Sequence, residues 1–177
     1  MMSNLKLLLL AIIVFSLAAC SAVGMHTPVV AVEPSSISDT SVNGPLALIN
    51  AQQSDHQVDL QFRGILIRLR DSTQALVDGV ERELKQRGAT ITDSADKRLS
   101  LSVTGIEMIS GMNVYRAVIH FRVESGEGNV VEMSSTRASL ASGYNLTSNP
   151  TKPIDVAMSD AVGMILNHAM VQAYLVK

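Results

Sequence analysis

The stretch VYRAVIHFRVE, residues 114–124, alternates without a break. Tyr115, Ala117, Ile119, Phe121 and Val123 point one way, while Arg116, His120, Arg122 and Glu124 point the other. A period of two with one apolar set describes a strand that buries one face and wets the other. The neighbouring segments repeat the theme at hairpin spacing. LSLSVTGIEMI (99–109) places Leu99, Leu101 and Val103 on one face; SGMN turns the chain, SGEGN turns it again, and VVEMSSTRASL (130–140) continues. Together they predict an antiparallel meander with one dry face and one wet.

A dry sheet face needs apolar cover, and the flanking sequence supplies it. Asp71-Ser72 offers a helix cap, after which Leu76, Val77, Val80 and Leu84 fall on one helical face and Gly88 provides a stop. Pro153 suits a first helical turn, and residues 154–176 predict one long helix. Asp155, Ser159, Gly163 and Asn167 recur along it at i+4 as a polar stripe. Asp160, Asn167, His168 and Gln172 argue against lipid as its burial site. LALIN (46–50), FRGILIRLR (62–70) and ATITD (89–93) read as further strands. The expected fold is α+β: an antiparallel or mixed sheet of five to six strands, with two helices packed on one face, over residues 45–177.

Composition narrows the function classes. Setting Lys6 and the rest of residues 1–19 aside from the 14 basic residues leaves 13 against 16 acidic ones, a formal charge of −3. Nucleic acid is no natural partner for that balance. Tryptophan is absent and Tyr and Phe number three each, so stacking platforms for bases or sugars are not expected. His26, His56, His120 and His168 contain no i, i+4 pair, and the lone Cys20 offers no thiolate cluster, so no metal site is expected. No G-x-S-x-G elbow and no phosphate loop is present, and the chain does not read as an enzyme. One surface feature remains: Arg116, His120 and Arg122 on one strand, with Arg137 on the next, form a mildly basic patch fit for anionic lipid headgroups or an acidic partner. Cross-strand pairing with Glu107, Glu124 or Glu132 accounts for the same residues without a partner. A different alternative is a carrier for a small ligand or lipid, with a cavity between the last helix and the sheet lined by Met158, Ile165 and Phe121.

The N-terminus has a separate character. MMSNLKLLLLAIIVFSLAAC carries Lys6 in a short head, then the apolar run Leu7–Phe15, then small residues. Head, apolar run and small residues make the three-part plan of a secretory signal peptide, and Leu7–Ala19 is too short for the ~20 residues of a membrane span. Residues 20–44, rich in Ser, Thr and Pro, read as a flexible tether. Val29, Val30 and Val32 offer a short edge strand as the alternative.

Leu17-Ala18-Ala19-Cys20 resembles a bacterial lipobox, the processing site of lipoprotein precursors. The resemblance implies cleavage between Ala19 and Cys20, diacylglycerol on the Cys20 thiol and an acyl chain, palmitate or a similar one, on its new amine. No other cofactor is implied. Ser21 resembles the residue that sends such proteins to the outer membrane, which gives the periplasmic face of that membrane as the expected location. The order of lipobox, tether, strand, helix, strand, meander and helix resembles the YajG-type family of uncharacterised lipoproteins. The motifs LVDGVERELKQRGATI (76–91), LSLSVTGIEMI (99–109), NVYRAVIHFRVESGEGNVVEMSSTRAS (113–139) and DAVGMILNHAM (160–170) carry that likeness. What it implies is a membrane-anchored, non-enzymatic binding or envelope-assembly accessory domain with a protein partner.

Overall fold

The computed structural model describes residues 24–32, 37, 41–52, 60–111, 114–140 and 150–177. Its strands are β1 (Gly24–Met25), β2 (Leu46–Asn50), β3 (Leu60–Phe62), β4 (Ile65–Ile67), β5 (Lys97–Ser110), β6 (Val114–Ser125) and β7 (Val130–Leu140). Its helices are α1 (Leu69–Gln86), α2 (Lys152–Asn167) and α3 (Ala169–Val176). The expected meander is present. A four-stranded sheet runs β2-β5-β6-β7, with β2 parallel to β5 and the other pairs antiparallel. Ala117, Ile119, Phe121 and Val123 are buried, as are Leu99, Leu101 and Val103 from β5. Helix α1 packs on β5, and α2 packs on β6 and β7. Leu76, Val77, Val80 and Leu84 form the buried stripe of α1.

The α+β class matches the expectation, while the element count differs: seven strands in two sheets and three helices among the described residues. The segment 62–70 is not one strand. Arg63 and Gly64 both take positive φ, 50° and 76°, and so close a two-residue hairpin between β3 and β4. The alternation ran through that turn and on into a helix that starts at Leu69. Asp71 therefore lies in the first turn of α1 and Ser72 is buried, so neither caps it. Strand β1 adds in parallel to β4, completing a second, three-stranded sheet. Of residues 89–93, only Ile91 makes a bridge, to Leu46.

The last helix is two. Its break at His168 (φ −72°, ψ 129°) bends the pair by 56°. No proline or glycine causes it; the His168 ring instead caps α3, Nδ1 accepting from the Met170 N–H at 3.2 Å. The bend turns α3 back to the sheet, where the Tyr174 hydroxyl accepts from the Arg98 N–H at 2.9 Å and the Leu175 carbonyl accepts from Lys97 and from the Asn43 N–H. Pro153 stands in the first turn of α2, as its rigid φ predicts.

One side-chain contact ties α1 to an irregularity in the sheet. Strand β2 stops opposite Leu101, and a register shift follows between Val103 and Gly105. The Val103 N–H has no strand beside it there and donates to Thr73 Oγ1 of α1 at 2.9 Å, in a buried position. Thr73→Val is close in shape and orphans that N–H. The expected loss is about 1–3 kcal/mol, read as a lower urea midpoint at unchanged m-value.

Candidate functional surface

The wet face of the meander is built by register. Across β6, Arg116 stands beside Ile109 and Ala138, His120 beside Gly105 and Ser134, and Arg122 beside Ser102 and Glu132. These three side chains share one face. Arg137 does not: it pairs with Ala117 and therefore stands on the helix side. The expected patch of four is corrected to three and one, because the SGEGN turn sets the parity of β7 and the sequence alone does not reveal it. The Arg137 Nε–H donates to Asp160 Oδ2 of α2. That hydrogen bond, with the charge of Asp160 behind it, raises the guanidinium above its usual pKa.

The basic side chains of the wet face largely stand beside acids. His120 lies 3.5 Å from Glu107, and Arg122 is 2.9 Å from Glu124. Such exposed pairs contribute roughly 0–1 kcal/mol each, so they leave the face polar and near neutral rather than basic. Arg116 has no ion-pair partner among the described residues. No cluster of His, Cys, Asp and Glu among the described residues is arranged to hold a metal. Ala19, Cys20 and Ser21 lie outside the described residues.

A second feature escaped the sequence. Within the stretch expected as a tether, residues 24–32 are laid along the domain as a strap. Asp155 Oδ1 lies 2.9 Å from His26 Nε2 and accepts from the Val29 N–H at 3.0 Å. Ser159 Oγ accepts from the Ala31 N–H at 2.9 Å and donates to the Asp155 carbonyl. From α1, Arg82 donates to the Val30 carbonyl at 2.8 Å. Underneath, a Cβ at Gly79 would meet Val30 Cγ1 at 2.8 Å and Val162 Cγ2 at 2.9 Å, so glycine lets strap, α1 and α2 close together. The polar stripe of α2 thus holds the strap's backbone. The valines at 29, 30 and 32 are no strand; only Gly24–Met25 is one.

A groove of ≈ 590 Å³ beside the strap is lined by Val29, Ala31, Arg137, Lys152, Asp155 and Ser159, among others. The residues required by the carrier alternative lie elsewhere. Met158, Ile165 and Phe121 are 0%, 0% and 1% exposed in one packed core. The interface between helix and sheet is filled by these side chains, and the expected cavity lining is corrected to core.

No family model matches the chain, and no curated protein does. Among solved structures, a Xanthomonas campestris protein of family model DUF330 shares the fold, with a TM-score of 0.56 at 17% identity over 85% of this chain and 95% of that one. The rare lipoprotein B from Shewanella oneidensis gives 0.44 at 16% identity, covering 70% and 91% of the two chains. A minor lipoprotein from Acinetobacter baumannii gives 0.41 at 15%, covering 75% and 93%. The likeness to the Xanthomonas protein is one of fold.

Proposed function

We propose that this chain is a lipid-anchored, non-enzymatic docking domain of the bacterial envelope, of the YajG-like kind, held at the periplasmic face of the outer membrane. Cleavage between Ala19 and Cys20 frees the cysteine for diacylglycerol and an N-acyl chain, and Ser21 directs sorting. The observation that carries the docking role is the one-sided sheet. Helices α1 and α2 pack against its dry face. On its other face Glu107, Arg116, Ser134 and Thr136 stand exposed, up to β7 at the edge of the sheet. An eleven-residue edge strand offers backbone groups for strand addition, and the polar face beside it supplies specificity.

The test joins two measurements on the mature protein. Intact mass is expected to show acyl chains on a chain beginning at Cys20. A photo-reactive residue at exposed Thr136 or Arg116 is expected to give a discrete protein adduct in intact cells, while one at exposed Gln86 of α1 gives none. A mature chain without lipid sinks the anchor. Equal labelling from Gln86 sinks the docking face.

A further inference from the structure

We infer that the end of the domain carrying the β3–β4 turn, with Arg63 at its tip, rests on the anionic headgroup layer of the membrane that holds the anchor. The inference rests on the lipidation of Cys20 proposed above and adds an orientation to it. Three residues, Ser21 to Val23, separate Cys20 from Gly24. Four Cα steps span at most about 14 Å. Gly24 is already fixed to the body, its N–H donating to the Gly64 carbonyl at 3.0 Å and its strand register facing Ile65. The strap's bonds to Asp155, Ser159 and Arg82 keep the following residues in place. The slack expected of residues 20–44 is therefore not at the anchor. A headgroup layer is roughly 5–8 Å deep on each side, so this leash holds the turn at the lipid surface.

The residues at that end suit the contact. Arg63 is exposed and takes φ 50°, a conformation rare for a side chain of its kind and favourable to Gly or Asn. An Arg held there in spite of the strain points to a use for its charge. The guanidinium lies 4.9 Å from the Tyr115 ring centre and 5.9 Å from that of Phe62, and no acid pairs with it among the described residues. Tyr115 is the second residue of β6, so Arg116, with no ion-pair partner among the described residues, and the exposed Ile109 stand at the same end of the sheet, and Met25 is exposed beside Gly24. Cations flanked by apolar side chains match a phosphate-bearing surface with acyl chains beneath it.

The test uses the full mature lipoprotein in vesicles of phosphatidylethanolamine and phosphatidylglycerol. Lipidation blocks Cys20, the only native cysteine, so a cysteine placed at Gln61 or Asn129 takes a fluorophore alone. Gln61 neighbours the tip; Asn129 lies past the far end of β6, about 40 Å of strand away. A headgroup-borne quencher is expected to act at least about fivefold more on position 61, beside the tip, than on position 129, about 40 Å of strand away. Arg63→Asn keeps the turn, so thermal stability is expected to hold or rise while the docked orientation loses about fivefold in occupancy. The loss is expected to vanish in phosphatidylcholine vesicles. Equal quenching at the two positions on a protein whose mass shows the lipid overturns this inference and spares the anchor. An unchanged profile in Arg63→Asn overturns the role of Arg63. A chain without lipid overturns both readings together.

Discussion

Replacing Cys20 by alanine is expected to move the protein from the membrane pellet to the supernatant after cell lysis. Each buried methylene of an acyl chain contributes about 0.8 kcal/mol; one chain binds marginally and two or more anchor stably. With the thiol gone there is nothing to carry diacylglycerol, and the processing step specific to Cys20 has no substrate. The run of alanines left at positions 18–20 suits the general A-x-A cleavage of secreted proteins, so the apolar leader is still removed. The contact proposed for the surface around Arg63 would then supply the remaining affinity. Electrostatic attraction of roughly 1 kcal/mol per arginine is far short of stable anchoring and is screened by salt. The pelleted fraction is accordingly expected to fall below about a tenth after a high-salt wash. Persistence in the pellet after that wash would refute the lipobox reading.

The strap changes what the proposed anchor can do. A free stretch from Cys20 to Gly44 gives a domain that works away from the bilayer. On the anchoring proposed above, docking from Gly24 would seat the domain on the surface and present the open face and edge of the larger sheet at a fixed height. Nothing in residues 24–32 announces this by composition. Asp155 and Ser159, well over a hundred residues away, accept from the strap's backbone N–H groups, and of the strap's side chains it is His26 that meets Asp155. What the sequence does show is the other half, the i+4 polar stripe on a helix that is otherwise apolar. A polar stripe on a core helix asks for a partner.

Elsewhere legibility follows the range of the determining interaction. Strands β5 to β7 are readable because period-two alternation spans five apolar positions in β6 and three in β5, up to its register shift after Val103, and the SGMN and SGEGN turns lie between them. The β3–β4 hairpin was hidden because its strands are three residues each and its turn is Arg-Gly, not the Asn-Gly or Asp-Gly that usually marks positive φ. The break at His168 has no local signal at all; it depends on a histidine ring capping from within a sequence that is helical on both sides. Arg137 was misplaced for a simpler reason. A one-residue difference in how the second turn is counted moves every β7 side chain to the opposite face. Its true neighbour, Asp160, lies on a helix that only the fold brings near.

Phe121→Ala is expected to be the most destabilising single change in the sheet, by about 3–5 kcal/mol. Phe121 is 1% exposed at the middle of β6, opposite Val103 on β5 and Met133 on β7. It belongs to the same packed cluster as Met158 and Ile165, so truncation leaves a void that helices pinned at both ends do not readily fill. Bonds from the strap, from Thr73 and from Tyr174 restrain that collapse, which puts the cost toward the upper end of the range. Domains of this size are stable by about 5–15 kcal/mol, so the variant loses a large share of the total. Its melting temperature is expected to fall by roughly 10–15 °C. Arg122→Ala, one residue along the same strand, removes only an exposed pair with Glu124 and is expected to stay within about 1 kcal/mol of the parent. The contrast between adjacent residues tests the assignment of faces directly. Comparable losses at both positions would mean that the polar face is covered, and the open surface proposed for docking would be gone with it.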